Sequence, residues 1–262
     1  LEKFIARARA LLPDGASIGF QSNGMALTEE RAVSIIDAGL DRICLSLDTV
    51  SDDSFRSIRS GGEMQGIVEA FASLNKARTR SRRDITIGIE FVLMRSNIAD
   101  LAEAIRWAGR SGASFAIVTQ LMPYQKELVA QAAYDTSTTG AVAIYDRWRA
   151  KASQEGLDIR RYLDTLTKVG RIPEEERVVQ LVEQMRNDAE AQGITLHIDK
   201  LLRRDEEWLA SAERVFDEAR QAAREAGVEL TLPGMAPRNT RKCEFVEGNS
   251  AFVSWDGDIH PC

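Results

Sequence analysis

Cysteine is scarce in this chain and does not form a disulfide framework. Three cysteines occur in 262 residues, whereas disulfide-stabilised domains have an even and much denser set. No apolar run approaches the roughly 20 residues that span a bilayer, and the opening residues Leu1-Glu2-Lys3-Phe4 lack a signal-peptide pattern. We therefore expect a cytoplasmic protein whose cysteines are buried thiols or metal ligands.

An excess of positive charge is also missing. The formal net charge is -6, which gives no general attraction to nucleic acid or to anionic membranes. We therefore expect no nucleic-acid partner and no membrane partner, and a small or peptide-like substrate becomes the default. Hydrophobic residues make up 44% of the chain, enough to bury the core of one α/β barrel or of two modest domains.

Short apolar segments alternate with amphipathic ones through the first 120 or so residues. This rhythm predicts βα units in a parallel sheet. Thr28 is placed to cap a helix, and Gly39 and Gly112 stand where helices end. The predicted strands are 17–23, 42–48, 85–93 and 114–121, and the predicted helices are 1–12, 28–38, 64–80 and 98–110. A repeat that opens on a helix predicts a strand upstream of Leu1.

The pattern changes after Pro123 to long charged helices, predicted at 138–155, 174–192 and 204–226, with a short strand at 194–198. Their Glu- and Arg-rich runs are typical of solvated helix faces and carry no evident chemistry. A loop-rich segment begins at Val228. These changes predict a barrel domain over 1–122, a helical extension over 123–227 and a separate module over 228–262.

Strand alternation predicts which polar side chains point into the barrel. Cys44, Ser46 and Asp48 share one face of the second strand, and Glu90 lies on the inner face of the third, together with Thr86 and Gly88. Functional groups in β/α barrels lie at the carboxyl ends of strands, where Ser46, Asp48, Gln21 and Asn23 fall. A buried Glu90 needs a partner, and a structural ion pair or a ligand would each provide one. Asp48 alone is more typical of a turn or a cap.

Four segments then carry a resemblance: 22–30 (SNGMALTEE), 38–43 (AGLDRI), 45–48 (LSLD) and 58–62 (IRSGG). In this order and spacing they resemble the middle of radical S-adenosylmethionine (SAM) enzymes, and 91–97 (FVLMRSN) resembles the family's next strand. The resemblance covers about 1–122. It implies a partial (β/α)6 TIM-like barrel, an α/β fold, with four of its six strands present.

The resemblance implies a cofactor-binding set and names no catalytic residue. Ser46 would contact the SAM ribose or methionyl carboxylate, Arg59 would bind that carboxylate, Asn23 would shape the pocket floor, and Glu90 would line the same pocket. A guanidinium fork suits a carboxylate and a hydroxyl suits a ribose. Ser46 bonded to backbone and Arg59 on a helix surface remain open as ordinary structural roles.

Two departures from the family pattern stand out. The cluster motif CxxxCxxC and the GGE segment, which precede the SNG strand in the family, do not occur here, and Gln21-Ser22 stands where Thr-Thr is commoner. Two explanations are open. The sequence begins inside its gene, or the barrel is degenerate and unable to cleave SAM.

The tail carries a second resemblance. Cys243 precedes an apolar segment, a turn at Gly257 and a further segment that ends at Cys262, so a hairpin would bring both thiols to one metal. The spacing resembles the start of the SPASM domain, in which these cysteines would bind an auxiliary [4Fe-4S] cluster. Two buried cysteines, or half of a zinc site, remain open. Cys44 and His197 are predicted to pack in the core, whereas His260 lies close to Cys262.

The resemblance implies reductive cleavage of SAM at a [4Fe-4S] cluster to a 5′-deoxyadenosyl radical, with flavodoxin or ferredoxin as electron donor. It implies a peptide or protein substrate, and the opening half resembles a radical SAM/SPASM metalloenzyme maturase subgroup. A catalytically silent barrel that binds a metal or a partner is the main alternative. A TIM-barrel lyase or aldolase is less favoured because no Lys points inward on the four strands.

Overall fold

A computed structural model describes residues 1–59, 62–237, 247, 252–253, 256 and 258–260. The chain forms two compact units. The sheet unit comprises Leu1–Tyr134 and Glu206–Met235, and the helical unit comprises Asp135–Asp205 and Ala236–Cys262. The three-part division at 122 and 227 stays a prediction.

A five-stranded parallel sheet forms the centre of the sheet unit and confirms the α/β fold class. Its strands follow one another in sequence order across the sheet. They are β1 (Gly19–Ser22), β2 (Arg42–Ser46), β3 (Thr86–Leu93), β4 (Phe115–Gln120) and β5 (Glu229–Thr231). A sheet in which each strand pairs with the next is the arrangement of a partial TIM-like barrel.

Helices connect these strands as the apolar spacing predicts. Thr28 caps its helix by accepting a bond from the Arg31 amide at 3.3 Å, and Gly39 has a φ of 114° just after that helix ends, a conformation that favours glycine. The helices are α1 (Glu2–Leu11), α2 (Glu29–Asp37), α3 (Asp52–Ile58), α4 (Met64–Arg80), α5 (Leu101–Arg110) and α10 (Glu206–Ala226).

The two faces of the sheet differ as alternation predicts. Ile43, Leu45 and Leu47 are completely buried in the hydrophobic core, and Ile87 and Ile89 of β3 share that core. The alternate residues of each strand form the opposite, inner face of the sheet.

The fifth strand was not among the strands predicted from the sequence. β5 pairs in parallel with β4, with Phe115 opposite Glu229. The helix before β5, α10, packs closely on α5. A Cβ added to Gly109 of α5 would lie only 2.7 Å from the Cβ of Ala226 at the end of α10. A three-residue strand is too short to show a period, so the sequence pattern misses it.

The helical unit has its own core, built around Tyr145, Leu181 and Met185. Its helices are α6 (Thr139–Gln154), α7 (Tyr162–Leu166), α8 (Pro173–Ala191) and α9 (Ile198–Leu202). The strand predicted at 194–198 is wrong, because Ile194 and Leu196 pack against this helical core and Ile198 starts α9. Two short strands, β6 (Phe252–Val253) and β7 (Ile259–His260), pair antiparallel.

An ion pair joins the two ends of the 135–205 segment. Asp135 is buried and pairs with Arg204, and its other carboxylate oxygen accepts a bond from the Ser137 amide at 2.8 Å. Within the described part of the chain, no helix is long and apolar enough to cross a membrane.

Candidate functional site

Four polar side chains, one from each of β1 to β4, meet on the inner face of the sheet and are called the polar belt: Gln21, Ser46, Glu90 and Thr119. The side-chain amide of Gln21 donates to the Ser46 hydroxyl at 3.0 Å and also to the Glu90 carboxylate. Thr119 donates to the other Glu90 oxygen at 3.3 Å. The belt therefore links four strands through side-chain hydrogen bonds.

Strand register explains part of this assembly. Ser46 lies directly opposite Glu90 across β2 and β3, so parallel pairing puts the hydroxyl and the carboxylate at the same height on the same face. Ser46 and Glu90 are therefore neighbours on the inner face, and their part in binding a cofactor stays a prediction. Gln21 and Thr119 were not among the predicted site residues, although inward alternation placed Gln21 at a strand end.

Glu90 is half-buried, and burial raises the pKa of its carboxyl group. The nearby Asp48 carboxylate raises this pKa further, whereas the Thr119 hydrogen bond and the Arg59 guanidinium lower it. The favourable contacts therefore fall short of the cost of desolvation. A carboxylate in this condition gains from a ligand that brings further hydrogen-bond donors.

The inner face is filled below the belt. The Arg42 guanidinium lies 3.6 Å from the centre of the Phe115 ring, and that ring covers Gly88 so closely that an added Cβ would lie 2.4 Å from it. Cys44 lies in the same register level as Gly88. Burial, and then the Glu90 carboxylate, raise the pKa of the Cys44 thiol to about 12, which favours the neutral thiol.

Arg59 is fixed by a carboxylate and does not lie free on a helix surface. Its Nε and a terminal nitrogen contact one oxygen of Asp48 at 2.8 and 2.7 Å, while the other Asp48 oxygen accepts a bond from the Val92 amide at 2.9 Å. Asp48 is therefore an anchor that joins Arg59 to the end of β3. The sequence analysis placed Asp48 at the carboxyl end of its strand but did not pair it with Arg59, eleven positions later.

Asn97 bonds to the same region, where β2 and β3 end. It is completely buried, and its amide nitrogen donates to the carbonyl groups of Asp48 at 3.0 Å and Val92 at 2.9 Å. Its side-chain oxygen accepts from the Met94 amide at 2.8 Å. A buried amide with all these partners fixes the β2 and β3 ends relative to each other.

Asn23 makes a local turn bond. Its side-chain oxygen accepts a bond from the Met25 amide at 3.2 Å, as in an Asx turn, and its contact with a pocket floor stays a prediction. Cys243 and Cys262 lie outside the described residues, as does any role for them as ligands. Among the residues that are described, no three His, Cys, Asp or Glu side chains are placed to hold a metal ion.

The residues at this edge fit SAM by chemistry. Ser46 and Glu90 can bond to ribose hydroxyls, and the guanidinium of Arg59 can bind a carboxylate. A [4Fe-4S] cluster requires several cysteine thiolates, and of the three cysteines the described one, Cys44, is a neutral thiol. The described residues therefore fit SAM but provide no cluster site.

Comparison with known sequences finds a family similarity in the first part of the chain. Residues 1–108 match the sequence model of the radical SAM superfamily, which covers α1 to α5 and the first three strands. The match supports an enzyme of this superfamily, and with it SAM and a [4Fe-4S] cluster as the implied cofactors.

Two curated proteins are similar to the chain. The tungsten-containing aldehyde ferredoxin oxidoreductase cofactor-modifying protein of Pyrococcus furiosus is 27% identical over 262 residues, which is 99% of this chain and 53% of that protein. The probable GTP 3′,8-cyclase of Methanocaldococcus jannaschii is 29% identical over 111 residues, 42% of this chain and 35% of that protein. The chain thus spans about half of the first relative and a smaller part of the second.

Proposed function

We propose that the protein containing this chain is a radical SAM enzyme that binds SAM at the carboxyl ends of β1 to β4. The observation that carries the proposal is the polar belt with Arg59 beside it. Gln21, Ser46, Glu90 and Arg59 lie within the residues that match the radical SAM superfamily, and Thr119 follows them. When bound, SAM and a [4Fe-4S] cluster supply a 5′-deoxyadenosyl radical that abstracts a hydrogen atom from the substrate.

Each residue of the edge has a proposed part in binding. Ser46 donates to a ribose hydroxyl, and Glu90 accepts from the ribose, which relieves the under-compensated carboxylate. Arg59 binds the methionyl carboxylate, with its guanidinium kept in place by Asp48. Asn23 forms part of the pocket floor. The filled lower part of the sheet excludes water from below.

A second iron–sulfur cluster is part of the proposal. Cys243 and Cys262 are proposed ligands of an auxiliary [4Fe-4S] cluster in a SPASM-type domain. Support comes from their hairpin-like spacing and from the thiolate chemistry that such clusters need. Iron analysis of anaerobically reconstituted protein tests this, because replacing both cysteines by Ala should lower the iron content by one cluster, whereas an unchanged content would remove the assignment.

The proposed substrate is a peptide or protein, with flavodoxin or ferredoxin as the electron donor. A second candidate substrate is a metal cofactor carried by a partner enzyme. It is favoured by the similarity, over 99% of this chain, to a protein described as modifying the cofactor of an oxidoreductase, and it fits the maturase subgroup that the opening half resembles. Mass spectrometry of the partner protein separates the two, because peptide modification changes the polypeptide mass and cofactor modification does not.

The SAM site is tested with the whole protein, reconstituted with iron and sulfide and reduced. We expect formation of 5′-deoxyadenosine, and we expect Arg59→Gln to weaken SAM binding by about tenfold or more, as loss of a charge-assisted contact predicts. Arg177→Gln is the matched control, because Arg177 pairs with Glu155 in the helical unit at 2.7 Å. Equal SAM affinity of the Arg59 variant and the control would contradict the proposed site.

The catalytically silent barrel predicts a different result. It binds a metal or a partner but forms no 5′-deoxyadenosine under reducing conditions, even when the reconstituted protein carries a cluster. Such a result, obtained with protein that has the iron content of at least one cluster, would favour the silent module over the radical enzyme.

A further inference from the structure

Gln21 lies lower on the sheet than the two groups it contacts. It pairs with Cys44, which in turn pairs with Gly88, whereas Ser46 and Glu90 are two residues further along their strands. With a rise of about 3.3 Å per residue, the Cα positions of Ser46 and Glu90 lie about 7 Å nearer the carboxyl edge, and the Gln21 side chain spans part of this offset. A long side chain is therefore required at this position.

The Gln21 amide connects both belt acceptors at once. One nitrogen reaches the Ser46 hydroxyl oxygen and the nearer Glu90 oxygen, while Thr119 holds the other Glu90 oxygen. Since the rotation of a carboxylate is broad and two-fold, bonds to both of its oxygens fix its plane. The acceptor oxygens thus have a defined direction before any ligand arrives.

The charges around Glu90 explain why a neutral amide suits this task. Asp48 and Arg59 influence the pKa of the Glu90 carboxyl group from the edge of the sheet where the strands end. Cys44 and Arg42 lie below Glu90, on β2. A lysine at position 21 would neutralise Glu90 as an ion pair and use up its acceptor capacity. The amide orients the carboxylate and leaves its charge available to a ligand.

We propose that Gln21 is a positioning residue that aligns Glu90 and Ser46 to bind the neighbouring hydroxyls of a nucleoside ribose. A carboxylate and a hydroxyl held side by side match two adjacent hydroxyl donors and acceptors. The inference rests on the proposed function, because the nucleoside is the one that SAM carries. The inference also requires a long side chain at position 21. The shorter Thr, which is commoner at this position in the family pattern, does not meet that requirement.

Two substitutions separate the reach of the side chain from its hydrogen bonds. Gln21→Met keeps the length and removes both N–H donors, whereas Gln21→Asn keeps the amide and shortens it by one carbon. Gln192→Met is the matched control, because Gln192 lies on the exposed end of α8 and bonds to Asp188. Equal melting temperatures of the variants establish that any binding effect is local.

Titration calorimetry with SAM and with 5′-methylthioadenosine, which has the ribose but no methionyl carboxylate, measures the effect on the full chain. Both Gln21 variants should bind both probes about tenfold more weakly, as expected for one lost or misaligned hydrogen bond, and the control should be unchanged. Wild-type affinity in both Gln21 variants would overturn the positioning role while leaving the SAM site intact. Absence of binding of both probes to the wild-type protein would instead overturn the proposed function.

A second measurement in the ligand-free protein does not depend on SAM. The pKa of the Glu90 carboxyl group is raised by burial, and an NMR titration should show it moving higher in both Gln21 variants, because the Gln21 amide no longer donates to the ionised carboxylate. An unchanged Glu90 pKa in both variants would overturn the proposed contact itself.

Discussion

Glu90 of the sheet unit and Glu175 of the helical unit are both shielded carboxylates, yet their pKa values move in opposite directions. Hydrogen bonding to Lys168 lowers the pKa of Glu175, helped by the Ile172 amide. Burial raises the pKa of Glu90, and its partners do not compensate. The contrast teaches that the helical unit satisfies its buried charge internally, whereas the belt leaves acceptor capacity for a ligand.

The largest expected effect tests whether the polar belt alone, within the sheet unit, has hydrogen-bonding capacity that its neighbours leave unused. Asn97 is in the sheet unit but is fully bonded, so Asn97→Ala should leave buried carbonyl and amide groups unpaired and destabilise the protein by about 3 kcal/mol or more. Asn23→Ala, the matched control with one exposed turn bond, should cost about 0.5 kcal/mol. Urea unfolding measures both, and equal losses would contradict the difference between anchor and turn.

A change below the belt should have the next largest effect. Gly88→Ala puts a methyl group against the Phe115 ring and should destabilise the sheet unit by about 1–3 kcal/mol through overpacking. Gly156→Ala serves as a control for the helical unit, because no atom lies within 4 Å of the added Cβ, although its positive φ of 75° carries a smaller strain. A Gly88→Ala variant as stable as wild type would show that the Phe115 ring does not pack tightly on the inner face of the sheet below the polar belt.

The opposite pKa shifts predict opposite pH effects on stability. From the ordinary value of 4.5, a raised folded-state pKa means that stability is lost as pH rises through it, so Glu90→Gln should stabilise the protein at pH 7 and change little at pH 4. A lowered pKa contributes stability above 4.5 that disappears at more acidic pH, so Glu175→Gln should destabilise at pH 7. Unfolding midpoints at several pH values measure both. Parallel pH profiles for the two variants would abolish the contrast.

The smallest effect concerns the reactivity of Cys44. Because its pKa is raised to about 12, Cys44 should react with iodoacetamide at pH 8 far more slowly than an unstructured thiol. The measurement uses a variant in which Cys243 and Cys262 are replaced by Ala, followed by mass spectrometry. In Glu90→Gln the labelling should become faster, since one cause of the raised pKa is removed, and an unchanged rate would argue against their coupling.

The sequence predicted the sheet well and the site in part, for physical reasons. Strands β1 to β4 and helices α2 and α4 follow from strong periodicity, helped in α2 by the Thr28 cap. Alternation places Ser46 and Glu90 on the inner face, whereas their side-by-side position depends on the strand register. The bond from Gln21 depends on side-chain reach across strands, and the bond from Arg59 to Asp48 depends on how the β2 end and α3 are placed. Neither depends on local pattern, so neither could be derived from it.

The Asp135–Arg204 pair has a consequence for how the chain assembles. β5 joins β4 only after the segment between them has been made, and closing so long a loop carries an entropic cost that slows folding. The pair brings the two ends of the 135–205 segment together. If this segment folds first, it would therefore act as a short connection between β4 and β5. During synthesis, β5 would then pair with a sheet in which β1 to β4 have already formed.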